Sequence, residues 1–300
     1  MTARPSLDVG AAFAPPPLED RDFSRFQALV YGEAGIHLTA AKKALLVGRL
    51  SKRLRELGVD SYAAYYERVL ADPAERVQML DRITTNETHF FREPRHFRFL
   101  VDQVFPQWKA EADAGRRPRR LRIWSAGCST GEEPYSIAMA LLDAFPAGSG
   151  WDLQVLGTDL STRVLARARA AVWPIAQAEE IPEADRKAHM LRGVGRQEGL
   201  MKAGPELRGL VRLDRLNLAG DAWPRLGPFD AVFCRNVLIY FDAPTKERVV
   251  GRLLERVEVG GYLFVGHAES LSGMPHAVRT PQATIYVRGG AVAQASGGAR

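Results

Sequence analysis

Two cysteines in 300 residues, Cys128 and Cys234, are all the thiol chemistry this chain has, and neither stands at metal-ligand spacing from another cysteine or a histidine. That scarcity argues against a disulfide framework and a structural zinc site, so no metal is expected, and the cytosol is the expected compartment. Long apolar runs are missing as well. Nothing approaches the roughly 18 to 20 residues that a spanning helix needs. At the N-terminus Val9 to Ala14 runs into Pro15, Pro16 and Pro17, which leaves no apolar core for a secretory signal. Compositional bias is absent too: 46% hydrophobic and 25% charged residues describe an ordinary folded chain, and its length suits two domains. What is in modest excess is positive charge, +6 overall. Such an excess suits nucleic acid, an anionic membrane or an acidic protein partner, and its location decides among them.

Residues 1–18, rich in alanine and proline, and 289–300, rich in glycine and alanine, read as disordered tails. Between 19 and 105 apolar residues recur at spacings of three and four, as in Phe23, Phe26, Leu29 and Val30 or Leu46, Leu50, Leu54 and Leu57, which predicts an all-α domain. A charged linker over 106–120 follows. From 121 to 288 the texture changes to short apolar runs alternating with helical patterns. Strands are predicted at Leu121–Gly127, Trp151–Asp159, Pro228–Asn236, Gly260–His267 and Ala283–Arg288. This order predicts an α/β domain with a doubly wound, largely parallel, Rossmann-like sheet. No helix separates the last two strands, which predicts an antiparallel edge pair. Gly193, Gly195, Gly199 and Gly204 mark a small antiparallel β-subdomain at about 190–216.

The first of these strands runs into Gly127-Cys128-Ser129-Thr130-Gly131-Glu132-Glu133-Pro134, a small-residue turn that lets backbone amides and a helix N-terminus approach a ligand. The second strand ends in Asp159, an acid suited to bonding two ribose hydroxyls. The turn has neither the G-x-G-x-x-G of dinucleotide binders nor a P-loop lysine. Glu132 and Glu133 would repel a pyrophosphate and tolerate a cation, such as the amino group or sulfonium of S-adenosyl-L-methionine. That contrast favours a methyltransferase over a dehydrogenase. A rival stays open on the motif alone. Gly127-Cys128-Ser129-Thr130-Gly131 also fits the G-x-S-x-G elbow of an α/β-type serine hydrolase, with Asp230 and His267 in the order that fold uses. It would leave Asp159, Asn217 and Asn236 without roles.

Several segments taken together resemble the chemotaxis receptor glutamate methyltransferase family, CheR. They are Asn86-Glu87-Thr88-His89-Phe90-Phe91-Arg92, the turn and helix start Ser125–Ser136, Gly157-Thr158-Asp159, Phe229–Phe241 with its Phe233-Cys234-Arg235-Asn236 core, and Gly260–His267. The resemblance implies a helical N-terminal domain, a methyltransferase domain with a β-subdomain, and S-adenosyl-L-methionine converted to S-adenosyl-L-homocysteine. By position it implies cofactor contacts from Asn86, Thr88, Arg92, Gly127, Glu132 or Glu133, Asp159, Asn217, Leu218, Cys234, Arg235 and Asn236. Arg92 and Tyr240 would lie nearest the transferring methyl.

The implied chemistry suits those residues. A glutamate is already ionised at neutral pH, so its attack on a sulfonium methyl needs no general base, only alignment and removal of water. Charge location bears on the partner. Lys42, Arg49 and Arg53 share one face if their segment is a continuous helix, in a run with no acid between Lys42 and Arg55. They form either a solvated face or a docking stripe for the acidic cytoplasmic helical bundle of a chemoreceptor, as the resemblance implies. No nucleic-acid motif or interleaved aromatics accompany the run. The Arg116–Arg122 cluster reads as a solvated linker. Arg192, Gly193, Gly195, Gly199 and Lys202 resemble a loop that takes a receptor's C-terminal tail peptide by strand addition.

Overall fold

A computed structural model describes residues 16–274 and 278–290. Most of both expected tails lies outside the described residues, although Leu18, inside the expected N-terminal tail, is buried. The chain divides into two compact units, one of residues up to 32 with 38–83 and one of 33–37 with 84 onward.

The first unit is helical: α1 (Asp20–Ala34), α2 (Lys43–Leu57), α3 (Tyr62–Ala71) and α4 (Pro73–Ile83). The leucine stripe of α2, Leu46, Leu50 and Leu54, is fully buried with Phe26 of α1. Phe26 meets the rings of Tyr62, Tyr65 and Tyr66 of α3. Punctuation follows the sequence: Gly58 takes a left-handed φ of 63° to end α2, and the Ser61 hydroxyl caps α3. Lys42 belongs to a short 3₁₀ turn (Ala40–Lys42) before α2. Within the unit lies a buried acid. Glu75 is 3% exposed and accepts from Arg53 Nε at 2.9 Å and Tyr65 Oη at 2.8 Å. Burial pushes the Glu75 carboxyl up, but the Arg53 and Tyr65 bonds outweigh it and leave it lowered.

The second unit opens with α5 (Pro94–Phe99), a π turn (Leu100–Val104) and α6 (Phe105–Asp113). The α/β succession follows: β1 (Arg120–Ala126), α7 (Glu132–Ala144), β2 (Asp152–Asp159) and α8 (Thr162–Ala170). Next come β3 (Val172–Pro174), α9 (Glu183–His189), β4 (Met190–Arg192), β5 (Leu200–Ala203), α10 (Pro205–Leu210) and β6 (Val211–Arg215). The unit closes with β7 (Phe229–Cys234), α11 (Ala243–Arg256), β8 (Val257–Val265), β9 (Val278–Gln282) and β10 (Ile285–Arg288). A seven-stranded sheet has the order β6-β2-β1-β7-β8-β10-β9, parallel from β6 to β8 and antiparallel at β10 and β9. Strand alternation splits its core. Ile123, Val155, Phe233 and Phe264 pack on one face with α7, and Trp124, Leu156, Val232 and Val265 on the other with α11.

Three expectations are corrected. The helices after residue 84 belong to the α/β unit, because Phe97, Leu100, Phe105 and Trp108 share a core with Ile123 and Phe264. Periodicity shows that a helix buries a face, not which partner buries it. The segment 106–120 therefore holds most of α6 rather than a plain linker, and three arginines of the Arg116–Arg122 cluster are paired: Arg117 with Asp230, Arg119 with Asp113 and Arg122 with Asp152. The small sheet is β3-β5-β4, beginning at Val172, whereas β6 pairs in parallel with β2 at the edge of the main sheet.

Candidate active site

In open α/β sheets ligands sit beyond the carboxyl ends of the strands, at the point where strand order reverses. Here that point lies between β1 and β7. The turn after β1 requires unusual backbone. Gly127 has φ +90°, and a Cβ there would come within 2.4 Å of Val237 Cγ2, so only glycine fits. Ser129, at φ +49°, donates its N–H to Asp159 Oδ2 at 2.9 Å, while Ser161 N–H reaches Oδ1 at 2.9 Å. Both oxygens of the β2-end acid are thus fixed by backbone. Leu216 N–H donates to the Asp159 carbonyl at 3.0 Å, which brings Asn217 and Leu218 alongside. Asn217 Nδ2 donates to Glu33 O at 2.7 Å, and its Oδ1 accepts from Ala219 N–H.

The segment 86–92 lies over this turn. Ser129 Oγ donates to Asn86 O at 2.9 Å, and Phe91 N–H to Ser136 Oγ at 2.9 Å. Phe90 N–H donates to Glu180 Oε2. Arg92 Nη1 donates to Glu87 O at 2.9 Å, and Thr88 stands half-buried between them in sequence. Phe90 itself is buried against Trp173, a core role.

Both glutamates at the start of α7 are buried. Glu133 accepts from Ser125 Oγ at 2.6 Å and from Arg235 Nε at 2.7 Å. Glu132 accepts from Thr130 Oγ1, and its burial pushes the carboxyl up. Arg235, with a side chain 1% exposed, also donates from Nη1 to the Arg92 carbonyl. The Glu133–Arg235 pair therefore ties β7's end to α7 and to the 86–92 segment. Burial raises the thiols of Cys128 and Cys234 well above the usual range, so both are small apolar groups in the wall and not nucleophiles.

Beyond β7 the chain turns left-handed at Asn236, φ +60°, and runs through a 3₁₀ turn (Leu238–Tyr240). Glu269, 1% exposed, organises this loop by accepting three N–H groups, from Asn236 at 2.8 Å, Ile239 at 3.1 Å and Gly266 at 2.7 Å. Tyr240 lies at its end, half-buried, its carbonyl accepting from His37 N–H at 2.8 Å. Sequence reasoning missed Glu269, Glu180 and Ser136. A lone acid in a loop carries no motif, and nothing in its spacing reveals three waiting amides.

With this geometry in place, comparison with known proteins is decisive. Residues 86–287 match the CheR methyltransferase, SAM binding domain, and residues 21–84 its all-alpha domain. The chain is 39% identical to a chemotaxis protein methyltransferase of Klebsiella aerogenes over 272 residues, 90% of each chain. It is 39% identical to chemotaxis protein methyltransferase 2 of Pseudomonas aeruginosa, over 88% of this chain and 92% of that one, and 36% identical to the Escherichia coli chemotaxis protein methyltransferase, over 90% and 91%. The chain belongs to the CheR methyltransferase family. As a CheR methyltransferase it is an S-adenosyl-L-methionine-dependent protein-glutamate methyltransferase.

The site's chemistry fits that cofactor. Asn236 Oδ1 is buried with no partner among the described residues, an acceptor that suits an amino donor such as that of adenine. The acids at the N-terminus of α7 suit a cation and oppose a pyrophosphate. The hydrolase alternative falls on the same geometry. Ser129 Oγ is bonded to a backbone carbonyl, Asp230 sits at the start of β7, held by Arg117 and Arg122 N–H, and His267 is 72% exposed beside Glu93. Asp230 thus lies at the opposite end of the sheet from the elbow.

The expected partner-binding residues belong to elements other than those that build this CheR site. Lys42 and Arg49 belong to the helical unit, with Lys42 exposed and Arg49 donating to Arg82 O. Arg53 is corrected: Glu75 and Glu56 engage it, so it is a structural cation and not part of a free stripe. Arg192 ends the edge strand β4. Gly193, Gly195 and Gly199 shape the turn to β5, where a Cβ on Gly193 would sit 1.9 Å from Gln197 O. Lys202 is exposed on β5 opposite Leu191.

Proposed function

We propose that this methyltransferase esterifies glutamate side chains on the cytoplasmic helical bundle of a chemoreceptor, using the residues around the β1–β7 switch point. The observation that carries the assignment is Asp159, whose two oxygens are oriented by the N–H groups of Ser129 and Ser161 at the end of β2. Asp159 holds the ribose, Asn217 and Leu218 border the adenine, and Asn236 takes its amino group. Gly127 and Cys234 allow close approach, while Glu132 and Glu133 give the methionyl end an anionic surrounding. Asn86, Thr88 and Arg92 close the site.

When bound, the cofactor supplies a methyl group on a sulfonium leaving group. The chain's own residues do the rest. Arg92 holds one oxygen of the substrate carboxylate through its planar fork, leaving the other to attack. Tyr240 donates a hydrogen bond that aligns it. Neither group acts as a base, because the carboxylate needs none. Excluding water from the anion raises its reactivity, so orientation and desolvation carry the rate.

For the receptor, Lys42 and Arg49 meet an acidic helix. The edge strand β4 with Arg192 and Lys202 takes the tail peptide, supported by Leu191 and Val194, 53% and 80% exposed beside a strand edge that no strand pairs among the described residues. Calorimetry tests the core of this reading. Asp159→Ala should weaken S-adenosylmethionine binding by about 1.5–3 kcal/mol, the scale of hydrogen bonds to a charged group. Unchanged affinity would remove the ribose assignment.

A further inference from the structure

We propose that a second cavity, over the β1–β2–β6 end of the sheet, binds a multiply charged phosphate-bearing anion of nucleotide size. A doubly wound sheet ordinarily has helices on both faces. The crossover from β6 to β7, residues 216–228, contains no helix, and it leaves a cavity of about 620 Å³ against the sheet. That volume lies in the range of small-ligand sites, roughly 300–1,000 Å³.

The face beneath is not aliphatic. Alternate residues of a strand share a face, so Arg120 and Arg122 of β1 point the same way. The register sets Arg122 beside Gln154 and Leu156 beside Arg212. Arg215 and Arg225 complete a lining of five arginines with one acid, Asp214. Asp214 accepts from Arg212 Nε at 2.8 Å, and Arg122 pairs with Asp152. Arg120, Arg215 and Arg225 form no ion pair among the described residues.

Guanidinium groups gathered round one concavity repel one another unless an anion lies between them. Their forks match phosphate oxygens bidentately. A single carboxylate would leave charge over, whereas linked phosphoryl groups supply several negative charges within one small molecule. Leu156, Leu226 and Phe229 add an apolar wall for the uncharged part of such a ligand. Arg120 begins β1, whereas Thr158 lies near the end of β2 and Arg215 ends β6, so the cavity runs along the sheet face from the strand starts to their ends and uses none of the residues assigned to methyl transfer.

The test is calorimetry of the full chain with sodium tripolyphosphate and, separately, ATP, at ionic strength held constant with sodium chloride. Saturable one-to-one binding of at least one probe is expected. ATP binding more tightly identifies a nucleotide, tripolyphosphate a bare polyphosphate. Arg120→Gln with Arg225→Gln should weaken binding by roughly tenfold or more, with melting temperature and S-adenosylmethionine affinity unchanged. A control pair outside the cavity, Arg116→Gln with Arg119→Gln, should leave probe binding as it is. Absence of saturable heat with either probe overturns the proposal, and so does an equal loss in the control pair.

Discussion

Glu269 accepts the backbone N–H of Asn236 at 2.8 Å and, through its other oxygen, that of Ile239 at 3.1 Å. One buried carboxylate thus holds both the left-handed turn at Asn236 and the 3₁₀ turn that ends in Tyr240. Gly266 makes the approach possible, since a Cβ there would lie 2.7 Å from Glu269 Oε2. In Glu269→Gln, whichever way the amide is turned, an NH₂ group faces a backbone N–H. We expect turnover to fall by roughly tenfold or more, from about 1–3 kcal/mol of lost bonding concentrated in this loop. Steady-state kinetics on a sample checked for folding decides it. A variant that melts lower but keeps its turnover and cofactor affinity would reduce Glu269 to a stability residue.

The Glu133–Arg235 pair makes a sharper stability prediction. Both groups are buried, so Arg235→Met strands the Glu133 charge and should cost about 3–5 kcal/mol. Removing both in Arg235→Met with Glu133→Leu should recover much of that loss, because no charge is then left unpaired. Urea unfolding measures all three. If the single variant costs under about 1 kcal/mol, the pair is solvated in solution and does not tie β7 to α7.

The strands at the site were legible in the sequence because each is an apolar run ending in a residue that chemistry could interpret: Gly127, Asp159, Asn236. The helices α5 and α6 were legible as helices, but their attachment was not, since Phe97 and Trp108 look the same whichever core buries them. Strand β6 was hidden by its own surface. Val-Arg-Leu-Asp-Arg at an edge alternates, but it follows the glycine-rich segment closely enough to read as part of it. The basic run of α2 showed its charge faithfully and its pairing not at all. Glu75, which takes Arg53, lies 22 residues away on another helix. Long-range ion pairs leave no local pattern.

That pairing changes what mutagenesis of α2 should show. Arg53→Glu faces the buried Glu75 with a like charge and should destabilise the helical unit by about 3 kcal/mol or more. Lys42→Glu with Arg49→Glu should instead weaken receptor methylation, with cofactor affinity kept. Wild-type methylation should fall with added salt, because exposed charges are screened over about 8–10 Å. Thermal melts and methylation assays across sodium chloride concentrations separate the two effects. A double variant with wild-type methylation and unchanged salt response would make Lys42 and Arg49 a solvated face.

His96 gives the enzyme an acid-sensitive point. It is 4% exposed, with Nε2 at 2.9 Å from Thr284 Oγ1 and its ring against Phe264. Nδ1 lies 3.3 Å from Glu93 Oε2, and Arg235 and Arg95 bear on the ring from nearby. Burial pushes its pKa down from 6.5 to about 4, with Arg235 adding to the shift and Glu93 opposing it. The unfolded chain therefore binds the proton before the folded one does. Stability contributed by neutral His96 is complete above about pH 6.5 and is lost as pH falls toward 4. At most about 3 kcal/mol is at stake over that interval. His96→Gln cannot take up the proton, so its stability should decline less between pH 7 and pH 4.5 than that of the wild type, even if its stability at pH 7 is lower. Urea midpoints across that range measure the difference. Parallel pH curves for the two proteins would show that His96 titrates alike in both states, and the acid sensitivity would have to reside in the carboxylates.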